Sequence, residues 1–426
     1  MMEEELKNYT INNEIGKGSF SKVYSGISKK TGEKVAVKRI NKRFITEKQY
    51  KKYLNNEIFI LNNVNNPYII KLLEVIMGSN YLYLVFEDCN GGSLEDCLRS
   101  YRILHNGQPF TQEIVQHIMK QIMTGMIYLH SRKILHRDIK LENILVKFKN
   151  EEDKKNVNML NSEIKIIDFG FARYLKGDKL AKSVVGSPLF ADPKIVQKLA
   201  RVDNDDEFGY DEKADIWSLG MVMYELLIGS PAFQANSIED LAEKIENGKY
   251  KIPHNVILSK ETLCFLNAML QYNPEKRYTC EELSKQFFLT KKVSEFKKTN
   301  NLGKSIYMNL KSDNKELLKS AIAIDGEDYD PNKTIDNISF CGILPKMETI
   351  NEEPTDIIEK KQKEYESDNK KHITSNIKNN EDISKIQDIF DKMNIDCFYI
   401  EPLLIPTQPN DILNSDDPIS QYMDNL

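Results

Sequence analysis

Apolar positions along the chain change their period close to residue 90. Before it they fall in short runs between turns: Val35-Ala36-Val37 follows Thr31-Gly32, and Tyr81-Leu82-Tyr83-Leu84-Val85-Phe86 follows Gly78-Ser79-Asn80. Such runs predict strands. Between them, Lys48 to Val64 places Tyr53, Ile58 and Leu61 at helical spacing and predicts one helix. From about Leu94 to Thr290 the pattern is mostly helical. Ile114, Ile118, Ile122, Met126 and Leu129 recur at three- and four-residue intervals across 112–130, the stripe of a helix with one buried face. Ile216 to Phe233 is apolar but interrupted by Glu225, which predicts a buried helix rather than a membrane span. Lys149 to Ser162 is almost wholly polar and reads as a surface-loop insertion. The expected class is α+β, a small sheet-rich lobe followed by a larger helical one.

After residue 290 this patterning dissolves. Residues 291–426 hold 18 lysines and no arginine against 26 acidic residues, a net charge of −8, whereas residues 1–290 carry +3. With apolar residues only in short islands, this composition predicts a mostly disordered acidic tail. One island, Asn380 to Met393, spaces Ile383, Ile386, Ile389, Phe390 and Met393 helically, and an amphipathic helix is expected at about 380–394. Across all 426 residues the net charge is −5, which leaves no basic excess for a nucleic-acid backbone. The acidic start, Met1-Met2-Glu3-Glu4-Glu5, lacks the cationic and apolar parts of a secretory signal. A cytoplasmic protein is expected, with no transmembrane segment and any membrane recruitment routed through partners. The six cysteines show neither C-x-x-C nor zinc-ligand spacing.

The chemistry-bearing residues lie in five places. Gly16-Lys17-Gly18-Ser19-Phe20-Ser21-Lys22-Val23 sits between strand-like runs, and its glycines would let backbone amides approach phosphate oxygens; a Gly/Ser hairpin explains it equally well alone. Val35-Ala36-Val37-Lys38 ends a strand in lysine, and Glu57 follows on the predicted helix at a spacing that can hold that lysine against ATP phosphates, although two unrelated solvated side chains fit the same spacing. His136-Arg137-Asp138-Ile139-Lys140-Leu141-Glu142-Asn143 supplies a carboxylate to orient a hydroxyl proton, a lysine to neutralise a transferring phosphate and an amide oxygen for a metal. Asp168-Phe169-Gly170, after the strand-like Ile164-Lys165-Ile166-Ile167, adds a second hard ligand suited to Mg2+. Asp215-Ile216-Trp217-Ser218-Leu219-Gly220 opens an apolar helix, and Arg277 stands in a polar turn.

In this order, these motifs resemble the signature set of the eukaryotic serine/threonine protein kinases. The resemblance implies a two-lobed kinase fold with an antiparallel-sheet N-lobe at about 9–88 and a helical C-lobe at 89–290, after an N-terminal extension at 1–8 and before the tail at 291–426. It implies ATP and Mg2+ as cofactors and protein serine or threonine hydroxyls as acceptors. By it, Asp138 is the catalytic base and Lys140 assists transfer, while Asn143 and Asp168 hold the metal. Lys38 pairs with Glu57 and the phosphates, and Ile15, Gly16 and Gly18 belong to the nucleotide loop. Glu87 and Cys89 belong to the hinge behind Phe86, and Val23, Ala36 and Leu145 sandwich adenine. The runs Cys89-Asn90-Gly91-Gly92, Ile166-Ile167-Asp168-Phe169-Gly170-Phe171-Ala172-Arg173-Tyr174-Leu175, Gly186-Ser187-Pro188-Leu189 and Pro231-Ala232-Phe233-Gln234-Ala235-Asn236-Ser237, with the polar insertion before Asp168, are similar to the autophagy-initiating members.

Departures from that pattern keep two other readings open: a signalling kinase of another branch, and a nucleotide-binding scaffold without turnover. Ser21 stands at the third loop glycine. Asp192-Pro193-Lys194 stands where the family has Ala-Pro-Glu, so Lys194 is expected to face Arg277 as a like charge, with Asp203-Asn204-Asp205-Asp206-Glu207 supplying the missing carboxylate. Arg137 implies control by activation-loop phosphorylation, with Ser183 the expected acceptor. Ser93 replaces a frequent glutamate after Gly91-Gly92, which argues against a strong demand for basic substrates, although Glu142 and Glu225 remain. In the tail, Phe340-Cys341-Gly342-Ile343 and the apolar group Phe398 to Ile405 are candidate docking segments for regulatory partners, the latter equally able to pack in cis. The helix at 380–394 is expected to dock on the kinase lobe rather than on a partner.

Overall fold

A computed structural model of the chain describes residues 6–18, 21–45, 48–174, 188–201, 211–296 and 306–311. Strands β1 (Tyr9–Lys17), β2 (Ser21–Ser28), β3 (Lys34–Asn41), β4 (Leu72–Met77) and β5 (Tyr81–Glu87) form one antiparallel sheet in the order β1-β2-β3-β5-β4. Alternation sorts its two faces. Val35, Val37, Tyr83 and Val85 are buried on one side with Tyr9 and Leu6, so part of the expected N-terminal extension packs into this lobe. Ala36 and Lys38 point the other way, opposite Phe86 and Leu84 on β5 and opposite Ser25 and Val23 on β2. Helix α1 (Lys48–Asn63) carries buried Leu54, Glu57, Ile58, Ile60 and Leu61.

Past the hinge, helices α2 (Leu94–Leu104) and α3 (Gln112–Ser131) begin the larger lobe. Ser93 caps α2: its hydroxyl accepts from Asp96 N at 3.1 Å while its own N–H donates to the Asp96 carboxylate at 3.1 Å. Every residue of the expected α3 stripe is buried. β6 (Ile134–Leu135) precedes the hairpin of β7 (Ile144–Phe148) with β8 (Ser162–Ile166), and β9 (Arg173–Tyr174) pairs with β6. Tyr68 O accepts from Ile166 N at 2.9 Å and Ile166 O from Ile70 N at 3.0 Å, so β8 is tied directly to the chain leaving α1.

The polar insertion between β7 and β8 is folded rather than an open loop. Helix α4 (Glu151–Lys155) lies in it, and Val157 and Met159, its two long apolar side chains before Leu160, are buried. Asn150, Asn158 and Asn161 all donate side-chain N–H groups to the Asp153 carboxylate at 2.7–3.0 Å, which holds its pKa below the usual range. Asparagines scattered in sequence thus close around one acceptor.

Helix α5 (Pro193–Arg201) precedes α6 (Glu212–Ile228), which is buried nearly all round, as the apolar run predicts. No helix among the described residues is long and apolar enough to cross a membrane. Gly220 lets α6 approach the following helix pair: a Cβ there would lie 2.7 Å from Leu270 Cδ2. Helices α7 (Ile238–Glu246) and α8 (Lys260–Met269) follow, with β10 (Lys249–Ile252) between them, and short helices at Cys280–Ser284 and Phe287–Thr290 come after. Packing continues beyond residue 290. β11 (Ile306–Asn309) pairs antiparallel with β10, and Met308 and Leu310 are buried. The expected tail helix at 380–394 lies outside the described residues, as do the segments at 340–343 and 398–405.

Candidate active site

The sheet face bearing Lys38 is the roof of the site. Lys38 Nζ reaches Glu57 Oε1 at 2.9 Å and Oε2 at 3.1 Å, joining β3 to α1. Burial opposes the ammonium charge, but Glu57 and then Asp168 outweigh it, and the Lys38 pKa stands above its ordinary value. Lys38 is therefore a fixed cation at neutral pH. Val23, opposite Lys38, and Ala36 are half-buried on this same face. Gly16 pairs with Val23 near the end of β1 and Gly18 opens the turn to β2, Gly18 N donating to Ser21 O at 2.8 Å, and neighbouring Ile15 is 57% exposed.

Glu87 ends β5. Its carboxylate turns toward the β7–β8 hairpin, meeting Lys165 at 3.0 Å, Lys147 at 3.4 Å and the Lys71 N–H at 3.1 Å. Only its backbone is therefore left for a hinge contact. Burial, then the Glu87 charge, pushes the Cys89 thiol up to about 12, so it is neutral. Gly91 must approach β7 closely: its N–H donates to Val146 O at 2.8 Å, and a Cβ would come within 2.7 Å of that oxygen. Leu145, half-buried on β7, bridges to Ser93 and forms the floor below the hinge.

Below, Asp138, Lys140 and Asn143 converge. Lys140 Nζ lies 2.9 Å from Asp138 Oδ2, and the Asn143 amide nitrogen donates to the same oxygen at 2.7 Å and to Asp138 O at 2.9 Å. Asp215, 1% exposed at the start of α6, holds the loop carrying them. Its carboxylate accepts from His136 N at 3.0 Å, Arg137 N at 2.8 Å and His130 Nε2 at 2.9 Å. Burial works against the Asp215 charge, yet these bonds, with His130 first, keep its pKa below the usual range. Arg137, with φ 72°, occupies the left-handed region that this anchoring sustains. The sequence motif marks Asp215 as a helix start but not as the anchor; its signal was a carboxylate at the head of a mostly apolar helix.

Asp168 also adopts a left-handed backbone, φ 66°, just after Ile167, whose N–H donates to Asn143 O at 3.0 Å. This bond places the two expected metal ligands side by side. The residues suit a hard cation. Both hydrogen bonds to Asp138 use the nitrogen of Asn143, which directs its amide oxygen away, and Asp168 offers a carboxylate. No group of three or more His, Cys, Asp or Glu side chains placed to hold a metal ion occurs among the described residues. Two protein oxygens completed by phosphate and water is the arrangement Mg2+ favours.

The expected clash between Lys194 and Arg277 does not occur. Arg277, fully buried, pairs with Asp192, two residues earlier, while Lys194 is exposed. The rest of the guanidinium donates to Gln271 O at 2.6 Å, Lys213 O at 2.9 Å and Tyr272 O at 3.2 Å, and it lies over the Trp217 ring at 5.1 Å. The carboxylate has moved from the third position of the Ala-Pro-Glu triplet to the first, the register from which it reaches the arginine. The stretch Asp203–Glu207 lies outside the described residues, as does Ser183.

Comparison with known proteins agrees with this geometry. The protein kinase domain model matches residues 9–289. The chain is 34% identical over 325 residues to the serine/threonine-protein kinase atg1 of Aspergillus clavatus, covering 67% of this chain and 34% of that one. It is 31% identical over 284 residues to the atg1 kinase of Dictyostelium discoideum, covering 66% and 39%. Against calcium-dependent protein kinase 5 of Plasmodium berghei it is 34% identical over 326 residues, covering 75% and 52%. The chain thus spans about a third to a half of the length of these relatives.

Proposed function

The chain belongs to the protein kinase family, and on that footing we propose that it transfers the γ-phosphate of ATP to serine or threonine hydroxyls of proteins. The observation that carries this reading is the convergence of Asp138, Lys140 and Asn143 beside Asp168, beneath a Lys38 already paired with Glu57. Asp138 accepts and orients the acceptor hydroxyl, while Lys140 moves from Asp138 to the transferring phosphoryl group and offsets its charge. Lys38 fixes the phosphates from the small lobe. The backbone of Glu87 and Cys89 receives adenine between Val23 and Ala36 above and Leu145 below, with Ile15, Gly16 and Gly18 closing over the phosphates. Asn143 and Asp168 would hold Mg2+, which when bound would neutralise phosphate charge. Catalysis is then mainly positioning and charge neutralisation, for which this pre-paired site is suited.

The relatives named atg1 and the Phe169-to-Tyr174 run support a role in the initiation of autophagy, carried out in the cytoplasm, with the acidic tail recruiting regulatory partners. The scaffold reading loses its main motive once Asp192 supplies the missing carboxylate.

The test is intact-mass and peptide mass spectrometry after incubation with Mg-ATP, beside an Asp168→Ala control. Phosphate gained by the parent chain alone, with Ser183 among the modified residues, is the expected result. No gain in either chain would return the scaffold reading.

A further inference from the structure

We propose that Asn56 is a positioning residue that locks the metal-binding segment to the helix holding the phosphate-pairing lysine. Asn56 precedes Glu57 on α1, and the two adjacent side chains reach different parts of the site. Glu57 reaches Lys38, while Asn56 Nδ2 donates to Phe169 O at 3.1 Å and to Ala172 O at 2.6 Å. Tyr53, three residues earlier and on the same helical face, sets its ring edge-on to Phe171 at 5.2 Å. One turn of α1 therefore grips the stretch 169–172 by two hydrogen bonds and an aromatic contact.

The grip matters because of what lies just before it. Asp168 holds a left-handed backbone, uncommon for any residue but glycine and tolerated best by Asn and Asp. Asn143 O restrains the chain on one side through Ile167 N, and Asn56 restrains it on the other. Without Asn56, Phe169 O keeps its bond from Ala172 N at 3.1 Å, a purely local turn, and the hydrogen-bonded tie to α1 is lost while the Tyr53–Phe171 contact stays. The consequence is linkage: a movement of α1 that breaks Lys38–Glu57 also releases Asp168. The small lobe's phosphate clamp and the large lobe's metal ligand then open and close together.

This inference rests on the kinase reading, and its test separates the two. Asn56→Leu keeps a similar volume and removes both donors. In the full chain we expect deuterium uptake at 168–174 to rise while α3 and α6 stay protected, with a melting temperature within about 2 °C of the parent. Turnover should fall about tenfold and half-saturation by Mg2+ should shift upward several-fold, with ATP affinity measured without metal unchanged. Asn56→Gln, which retains the donor amide, should restore part of both. Parent-like exchange at 168–174, or a parent-like Mg2+ requirement, would overturn the proposal. If Asn56→Leu does not fold, Asn56→Asp replaces it, setting a carboxylate against two carbonyl oxygens at the same size. Global melting of that variant as well would make Asn56 a support of the small lobe and end the positioning claim. A parent chain without turnover would sink the kinase reading, and the exchange experiment would still decide the contact.

Discussion

Arg277 meets the carboxylate of Asp192, while Lys194, at the position where the family carries its acid, points into solvent. Asp192→Ala would leave a buried guanidinium without its counter-charge, a loss of about 3–5 kcal/mol. Lys194→Glu alone should change stability by no more than about 0.5 kcal/mol, as for other exposed sites. Urea unfolding of both variants checks this. A Lys194→Glu chain that gained stability and activity together would show that the relocated pair does not compensate.

Against burial, Glu57 and then Asp168 hold the Lys38 pKa above its ordinary value. In Glu57→Gln the lysine loses its fixed partner, and kcat/KM for ATP should drop by about a hundredfold, the scale of a small misplacement of a reacting group. Steady-state kinetics with a generic protein acceptor reads it. An unchanged ATP KM and kcat would separate this pair from catalysis.

Half-buried Glu225 lies near Glu142 and Glu95, and burial first, then those charges, pushes its pKa up to about 7. The folded state therefore keeps a proton that the unfolded chain has released, so this group's contribution to stability falls as pH rises from about 4.5 to 7. Glu225→Gln should remove that slope and add roughly 1–2 kcal/mol at pH 8, after allowance for solvent screening. Denaturation midpoints at pH 5 and pH 8 measure it; a gain equal at both would point to a cause other than ionisation.

Leu310, fully buried, accepts from Tyr272 N at 2.9 Å and donates to Gly248 O at 2.7 Å through its backbone. Leu310→Ala should cost about 2–4 kcal/mol, as for other buried leucines. Thermal unfolding of the full chain tests whether residues 306–311 belong to the folded lobe; a shift below 1 °C would show that they do not.

The sequence made the periodic elements easy to read. The stripe from Ile114 to Leu129 fits one buried helix face, and the apolar runs at Val35 and from Tyr81 to Phe86, bounded by turns, fit strands. The site followed because its motifs pair local spacing with required chemistry, as in Asp138, Lys140 and Asn143. Three features escaped because no periodicity or motif announces them. Asp192 finds Arg277 through the course of the loop, not through charge density, which drew attention to Asp203–Glu207 instead. Asp153 gathers three asparagines that look like solvated loop residues in sequence. β11 is four residues long and lies in a segment whose composition is otherwise that of a tail.

Without residues 306–309, the peptide groups of β10 that now face β11 would form an open strand edge, with Tyr250 and Ile252 beside it. Such edges recruit strands from other molecules. A chain trimmed at residue 289, where the family match stops, would retain every proposed catalytic group yet carry an adhesive border. Its self-association would then report the missing cap rather than any property of the catalytic lobe.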